Sequence, residues 1–165
     1  MKSLTFNTYL NAVLLNSEPA LNLILSQLST QISYQKNDII YSKGKIPENL
    51  SYLETGNAIA LSHSKPNRQV LRFWEAKQLI CPCGFFNNTP SLQSIIALDD
   101  CLISILNYRQ LLSFLHDFPE GYKILNAILQ SEINHVLFNI KNIDTNKSFQ
   151  NHEALLEALA ISFDE

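Results

Sequence analysis

Apolar residues recur with a helical period over the first 28 positions. Phe6, Tyr9, Leu10, Val13 and Leu14 fall on one stripe, and Leu21, Ile24, Leu25 and Leu28 fall on a second. Ser17-Glu18-Pro19 between them reads as a helix start. Ser17 is the cap, and Pro19 sits in the first turn, where its missing N–H costs nothing. From about Gln31 to Tyr108 the pattern changes to short apolar runs cut by turns. Ile32–Tyr34, Asp38–Tyr41, Leu50–Leu53, Ala58–Leu61, Gln69–Trp74, Ser94–Leu98 and Cys101–Leu106 are the candidate strands. Lys43-Gly44-Lys45, Glu54-Thr55-Gly56-Asn57 and Lys65-Pro66-Asn67-Arg68 are the turn signals between them. Many short strands at close spacing predict a sandwich, roll or barrel.

The helical period then returns. Asn107 is placed to cap a helix carrying Leu111, Leu112 and Leu115, which Pro119 closes. A longer helix follows over about Glu120 to Ile143. Leu125, Ile128, Leu129, Ile133, Val136, Leu137 and Ile140 form its wide apolar stripe, suited to pack on its own sheet, on a partner's copy, or on both. Asp144 to Ser148 reads as a linker. His152 to Ile161 reads as one short helix with Leu155, Leu156 and Leu159 inward. The expected organisation is one domain over 1–143 and a linker with a short C-terminal helix over 144–165.

Composition narrows the classes. Apolar residues make up 46% and charged residues 16%, which predicts a chain that folds rather than stays disordered. A net charge of −3 argues against a broad basic face for nucleic acid. Met1 to Phe6 holds one lysine and no long apolar core, unlike a signal peptide, and no run reaches the length of a membrane span. The expectation is a cytoplasmic protein without a membrane segment, with its three cysteines as free thiols. Cys81 and Cys83 stand only two apart, and a second pair of ligands is missing, so no metal or cofactor is expected. His63, His116, His135 and His152 are scattered. With no catalytic triad, phosphate loop or paired carboxylates standing out, an enzyme is not expected.

The stretch YQKNDIIYSKGKIPENLSYLETGNAIAL, with Gly44 and Gly56 in its turns, resembles the opening of cyclic nucleotide-binding domains of the Crp/Fnr type. NTPSLQSIIALDDCLISILNYRQLLSFLHDFPE is similar to the end of the same domain and the helix after it. The resemblance covers roughly Gln31 to Ile143. It implies a mainly β fold with helices: a jelly-roll-like β-roll, two short N-terminal helices and a long C-terminal helix. It further implies a homodimer seam on that long helix, at Leu125, Leu129, Ile133, Val136 and Ile140, and a small effector inside the roll.

The family also implies a Gly-Glu pair and, a few residues later, an Arg before a small residue. Arg and helix N-terminal amides would meet a cyclic phosphate with charge-assisted hydrogen bonds. The Arg place falls on Ser91 and the Glu place on Cys81 or Pro82, so both charged groups are missing. Cyclic AMP held in the usual manner is therefore not expected. Two readings stay open. In one, Phe85 and Phe86 plug the roll, nothing binds, and the domain is a protein-interaction module with a filled interior. In the other, Gly84, Phe85, Ser91, Gln93 and Ser94 hold a different, small anionic effector.

Arg72 and Trp74 share one face of their strand and Leu71 and Phe73 the other, a pairing that suits an anionic, planar ligand. The plain alternative is an edge strand whose Trp covers the sheet and whose Arg pairs with Glu75. Family regulators carry a DNA-reading helix-turn-helix after the long helix. Here only a linker and one short helix follow, with Asp144, Glu153, Glu157, Asp164 and Glu165 against Lys147. DNA binding by this chain alone is not expected; it is read as a sensor lacking that output domain.

Overall fold

The computed structural model describes residues 4–13, 19–62 and 70–143, with side chains over 6–12, 19–62 and 70–134. The expected Ser17 cap, the 65–68 turn and the 152–161 helix lie outside the described residues.

Helices α1 (Leu4–Val13) and α2 (Pro19–Leu28) precede eight strands. These are β1 (Thr30–Tyr34), β2 (Ile39–Tyr41), β3 (Asn49–Thr55), β4 (Ala58–Ser62), β5 (Val70–Trp74), β6 (Leu79–Ile80), β7 (Gln93–Ala97) and β8 (Cys101–Asn107). Helices α3 (Tyr108–Asp117) and α4 (Gly121–Ile143) follow. Two four-stranded antiparallel sheets form, ordered β1-β8-β3-β6 and β2-β7-β4-β5. This is the jelly-roll-like β-roll with flanking helices that the resemblance implies.

The strand missing from the sequence reading is β6. Two residues are too short to show a pattern, and β6 exists by pairing Leu79 and Ile80 against Tyr52 and Ser51 of β3. Its lead-in turn is pinned by Leu53, whose N–H donates to Gln78 O at 2.9 Å and whose carbonyl accepts from Lys77 N at 2.6 Å.

Alternation along the strands sends side chains to two apolar cores. Inside the roll lie Leu53, Ile80, Cys101 and Ile103 from the first sheet and Ala58, Ala60, Trp74, Ile95 and Ala97 from the second. On the other face of the first sheet, Leu50, Tyr52, Leu79 and Leu106 meet Phe6, Leu10, Leu25, Leu111, Phe114, Leu115, Ile124 and Ile128 of the helices. Each such fully buried side chain contributes about 1.5–3 kcal/mol of transfer free energy. Leu21, Ile24 and Leu28 pack on this second cluster from α2, as their spacing predicts.

The corner that passes from β3 in one sheet to β4 in the other turns at Gly56, with φ +89°. A Cβ there would stand 2.7 Å from both Asp100 O and Cys101 Sγ, so only glycine fits. The turn is fastened by Asp99, whose carboxylate accepts from the Asn57 backbone N at 2.6 Å and side-chain Nδ2 at 2.7 Å.

Asn107 caps α3 as expected: its Oδ1 accepts from Arg109 N at 2.9 Å, and Gln110 Oε1 accepts from Asn107 N at 3.1 Å. That reciprocal pair adds about 1 kcal/mol. Residues 1–128 and 129–165 make two compact units, and α4 crosses the division. Leu125 is half-buried against the helix-side cluster of its own chain, and Ile133 is half-exposed. The side chains of Val136 and Ile140 lie outside the described residues.

Candidate functional site

The loop after β6 is built backbone-first. Gly84 has φ +94°, and a Cβ there would stand 2.1 Å from Thr89 O. The loop closes as Thr89 N donates to Gly84 O at 3.1 Å. It then meets the Ser42–Lys45 turn in a short ladder. Gly44 N donates to Ser91 O at 2.8 Å, and Ser91 N donates to Lys45 O at 2.9 Å.

The two hydroxyls named as ligand candidates are absorbed by this ladder. Ser91 is 2% exposed, and its Oγ donates to Gln93 O at 2.8 Å. Ser94 Oγ accepts from Lys43 N at 3.1 Å. Ser91 thus stands where the resemblance places a cation, with its hydroxyl spent on its own strand. From Cys81 to Ser94 there is no Lys or Arg.

Phe85 and Phe86 do not plug the roll. Phe85 is buried in the helix-side cluster, edge-on to Phe86 at 4.9 Å and to Tyr108 at 5.4 Å between ring centroids. The loop runs off the end of β6 on the helix side of the first sheet, so its aromatics join that core. Phe85 is therefore structural here and stands apart from Arg72 and Trp74.

Inside the roll the register assembles a different set. Ala58 pairs with Trp74 and Ala97, Ala60 with Arg72 and Ile95, and Ser62 with Gln93. Directly paired residues share a face, so Trp74, Arg72, Gln93 and Ser62 all lie on the inner face of the second sheet. Arg72 and Trp74 share that face as their spacing predicts, and the Arg72 guanidinium carbon stands 4.7 Å from the Trp74 ring centroid. Such stacking adds about 0.5–2 kcal/mol. β5 is an edge strand, as the plain alternative requires.

On this face, Trp74 Nε1 and Ser62 Oγ are buried without a hydrogen-bond partner among the described residues. Trp74 is 1% exposed and Ser62 9%. Ser62 was not singled out by the sequence; the signal was its place two residues beyond Ala60 on the inner face.

Several other polar groups of the two sheets are hydrogen-bonded. Tyr41 Oη donates to Asn49 O at 2.9 Å and meets Ser51 Oγ, tying β2 to β3. Burial pushes the Tyr41 phenol well above its ordinary range. Glu54, almost fully buried, accepts from Ser104 Oγ. Burial and, after it, the Glu54 charge push Tyr52 up to about 12.

Cys101 is in the roll core, as strand alternation predicts, and burial followed by the nearby Asp99 charge pushes its thiol up to about 11. Cys83 is exposed and Cys81 half-buried. Among the described residues no group of three His, Cys, Asp or Glu side chains comes together. His116 is exposed beside Asp117 at 3.2 Å. A groove of about 530 Å³, lined by Pro47, Glu48, Asn88, Asn107, Tyr108 and Arg109, opens at the start of α3. Among the described residues no helix is long and apolar enough to cross a membrane.

A family model described as "Cyclic nucleotide-binding domain" matches residues 31–118, more than half of the chain. Among solved structures, a cyclic nucleotide-binding domain from Methylobacillus flagellatus KT is 12% identical with a TM-score of 0.70. It covers 81% of this chain and 80% of that one. The N-terminal domain of a transcriptional regulator from Streptomyces coelicolor A3(2) is 15% identical with a TM-score of 0.66, over 81% of this chain and 95% of that one. The catabolite activator protein of Thermus thermophilus is 14% identical with a TM-score of 0.65, over 80% of this chain. The chain spans 62% of that protein's length. At these identities the likeness is one of fold. No curated protein sequence matches the chain significantly.

Proposed function

This chain belongs to the cyclic nucleotide-binding domain family, and from that premise we propose that it is a non-enzymatic regulatory domain whose phosphate cassette does not hold cyclic AMP in the usual manner. The observation that carries the reading is Ser91. It occupies the place of the expected cation, it is buried, and its hydroxyl is committed to Gln93 O. A charged hydrogen bond to a phosphate contributes about 1.5–3 kcal/mol, so its loss weakens binding by roughly ten- to a hundredfold. Neighbours named as a catabolite activator protein and a transcriptional regulator support a regulatory role over a catalytic one.

Calorimetric titration with cyclic AMP tests this directly. The expected result is binding no tighter than tens to hundreds of micromolar. Micromolar binding by the native chain would overturn the reading.

A second reading, a protein-interaction module with a filled roll, draws on Trp74, whose ring occupies the interior. It conflicts with the unsatisfied indole N–H and with Ser62 Oγ on the same face, because side-chain-filled interiors satisfy their polar groups. We also read the chain as a cytoplasmic homodimer through α4. Ile133, half-exposed on an apolar stripe, supports a partner there. The double change Ile133→Glu and Val136→Glu should halve the mass in light scattering, and a native chain already monomeric would end that part of the proposal.

A further inference from the structure

We infer that the seam between α1 and α2 binds one water molecule, which donates one proton to Asn7 Oδ1 and the other to Asn22 Oδ1 and so joins the N-terminal helices through polar groups.

Each helix divides its faces between two neighbours. Phe6 and Leu10, four apart on α1, pack into the helix-side core, as do Leu21, Leu25 and Leu28 of α2. Asn7 and Asn11 lie one position further along α1, again four apart, and Asn22 and Ser26 repeat that spacing on α2. The two polar stripes meet where Asn22 Nδ2 donates to Asn11 Oδ1 at 2.8 Å. Asn22 is 0% exposed and Ser26 4%, so amides and a hydroxyl are buried where packed helices ordinarily interlock apolar side chains.

Two acceptors in this seam are left over. Asn7 Oδ1 and Asn22 Oδ1 are buried and have no hydrogen-bond partner among the described residues. They cannot bond to each other, because both are carbonyl oxygens. Ser26 cannot serve either of them, since its hydroxyl proton goes to Leu23 O at 2.8 Å. Folded proteins rarely leave buried acceptors so, and a small donor bound between them supplies the missing bonds.

The pair selects the ligand. It must donate twice, which excludes an anion. Neither helix carries an Asp or Glu, so the seam holds no charge to offset the desolvation of a cation. Water is neutral and has two protons for two acceptors. With bonds of about 2.8 Å it spans oxygens roughly 4–5 Å apart. Asn7 and Asn11 are one helical turn apart, about 5–6 Å between Cβ atoms. With Asn22 tied to Asn11, both leftover oxygens fall within reach of one water.

The test is a crystal structure of the full chain, at a resolution that shows ordered water, together with a double-mutant cycle in urea. One water within about 2.7–3.2 Å of both oxygens is the expected result. A dry seam overturns the inference. So does a pair of reversed amides at Asn11 and Asn22 that lets Asn22 Nδ2 bond directly to Asn7 Oδ1. In the native background Asn7→Ala should lower the folding equilibrium constant about threefold to tenfold. In an Asn22→Ala background, where the shared water is already lost, the same change should act less than about twofold. Equal effects in the two backgrounds overturn the inference. Exchanging sodium for ammonium ions at constant ionic strength should leave the melting temperature unchanged. A rise with ammonium would give the seam to a cation and overturn the assignment to water.

Discussion

The first sheet separates two cores of opposite character. On its helix side Phe6, Tyr52, Phe85 and Phe114 pack with leucines, and the aromatic rings stack or meet edge-on. Inside the roll the second sheet contributes three alanines, Ile95 and Trp74, with an arginine over the indole ring and a buried serine on the same face. Large interlocking rings make a core that resists change. Small side chains around one large ring, beside buried polar atoms without partners, make one with fewer interlocking contacts.

That contrast can be broken by substitution. Phe85→Ala should cost the most, about 3–5 kcal/mol in urea unfolding, since it empties a ring-sized space in the helix-side core. A cost below about 1 kcal/mol would show that Phe85 is no part of a tight core. Gly56→Ala should follow at about 2–3 kcal/mol, because the corner joining the sheets has a positive φ and no room for a Cβ. Trp74→Phe should cost only about 1 kcal/mol in the absence of ligand, since the lost ring area is offset by removing an unsatisfied N–H. A loss matching that of Phe85→Ala would erase the distinction between the cores.

The smallest effect is a pH dependence. The Cys101 thiol is raised from 9.0 to about 11 in the fold, chiefly by burial. Its contribution is therefore complete below the ordinary thiol value and fades as pH rises from about 9 to about 11. The native chain should lose melting temperature over that window faster than Cys101→Ala. Parallel curves would place Cys101 outside the core.

Much of this was legible in the sequence. Period changes marked the helices and most strands, Asn107 and Pro119 marked the ends of α3, and alternation put Arg72 with Trp74 and Cys101 in the core. What was not legible depended on tertiary pairing. β6 is two residues long and exists only against β3. The direction of Phe85 depends on which side of the first sheet the loop leaves. Ser91 and Ser94 read as ligand groups until the Ser42–Lys45 turn, remote in sequence, engaged them. Ser62 carried no motif and became visible only once register placed it opposite Gln93.

The most direct test of the account uses the chain's single tryptophan. Its indole N–H gives one resonance in a proton–nitrogen correlation spectrum of the labelled protein. The account predicts that cyclic AMP at micromolar concentration leaves that resonance in place. A resonance moved saturably by cyclic AMP at micromolar concentration would contradict it.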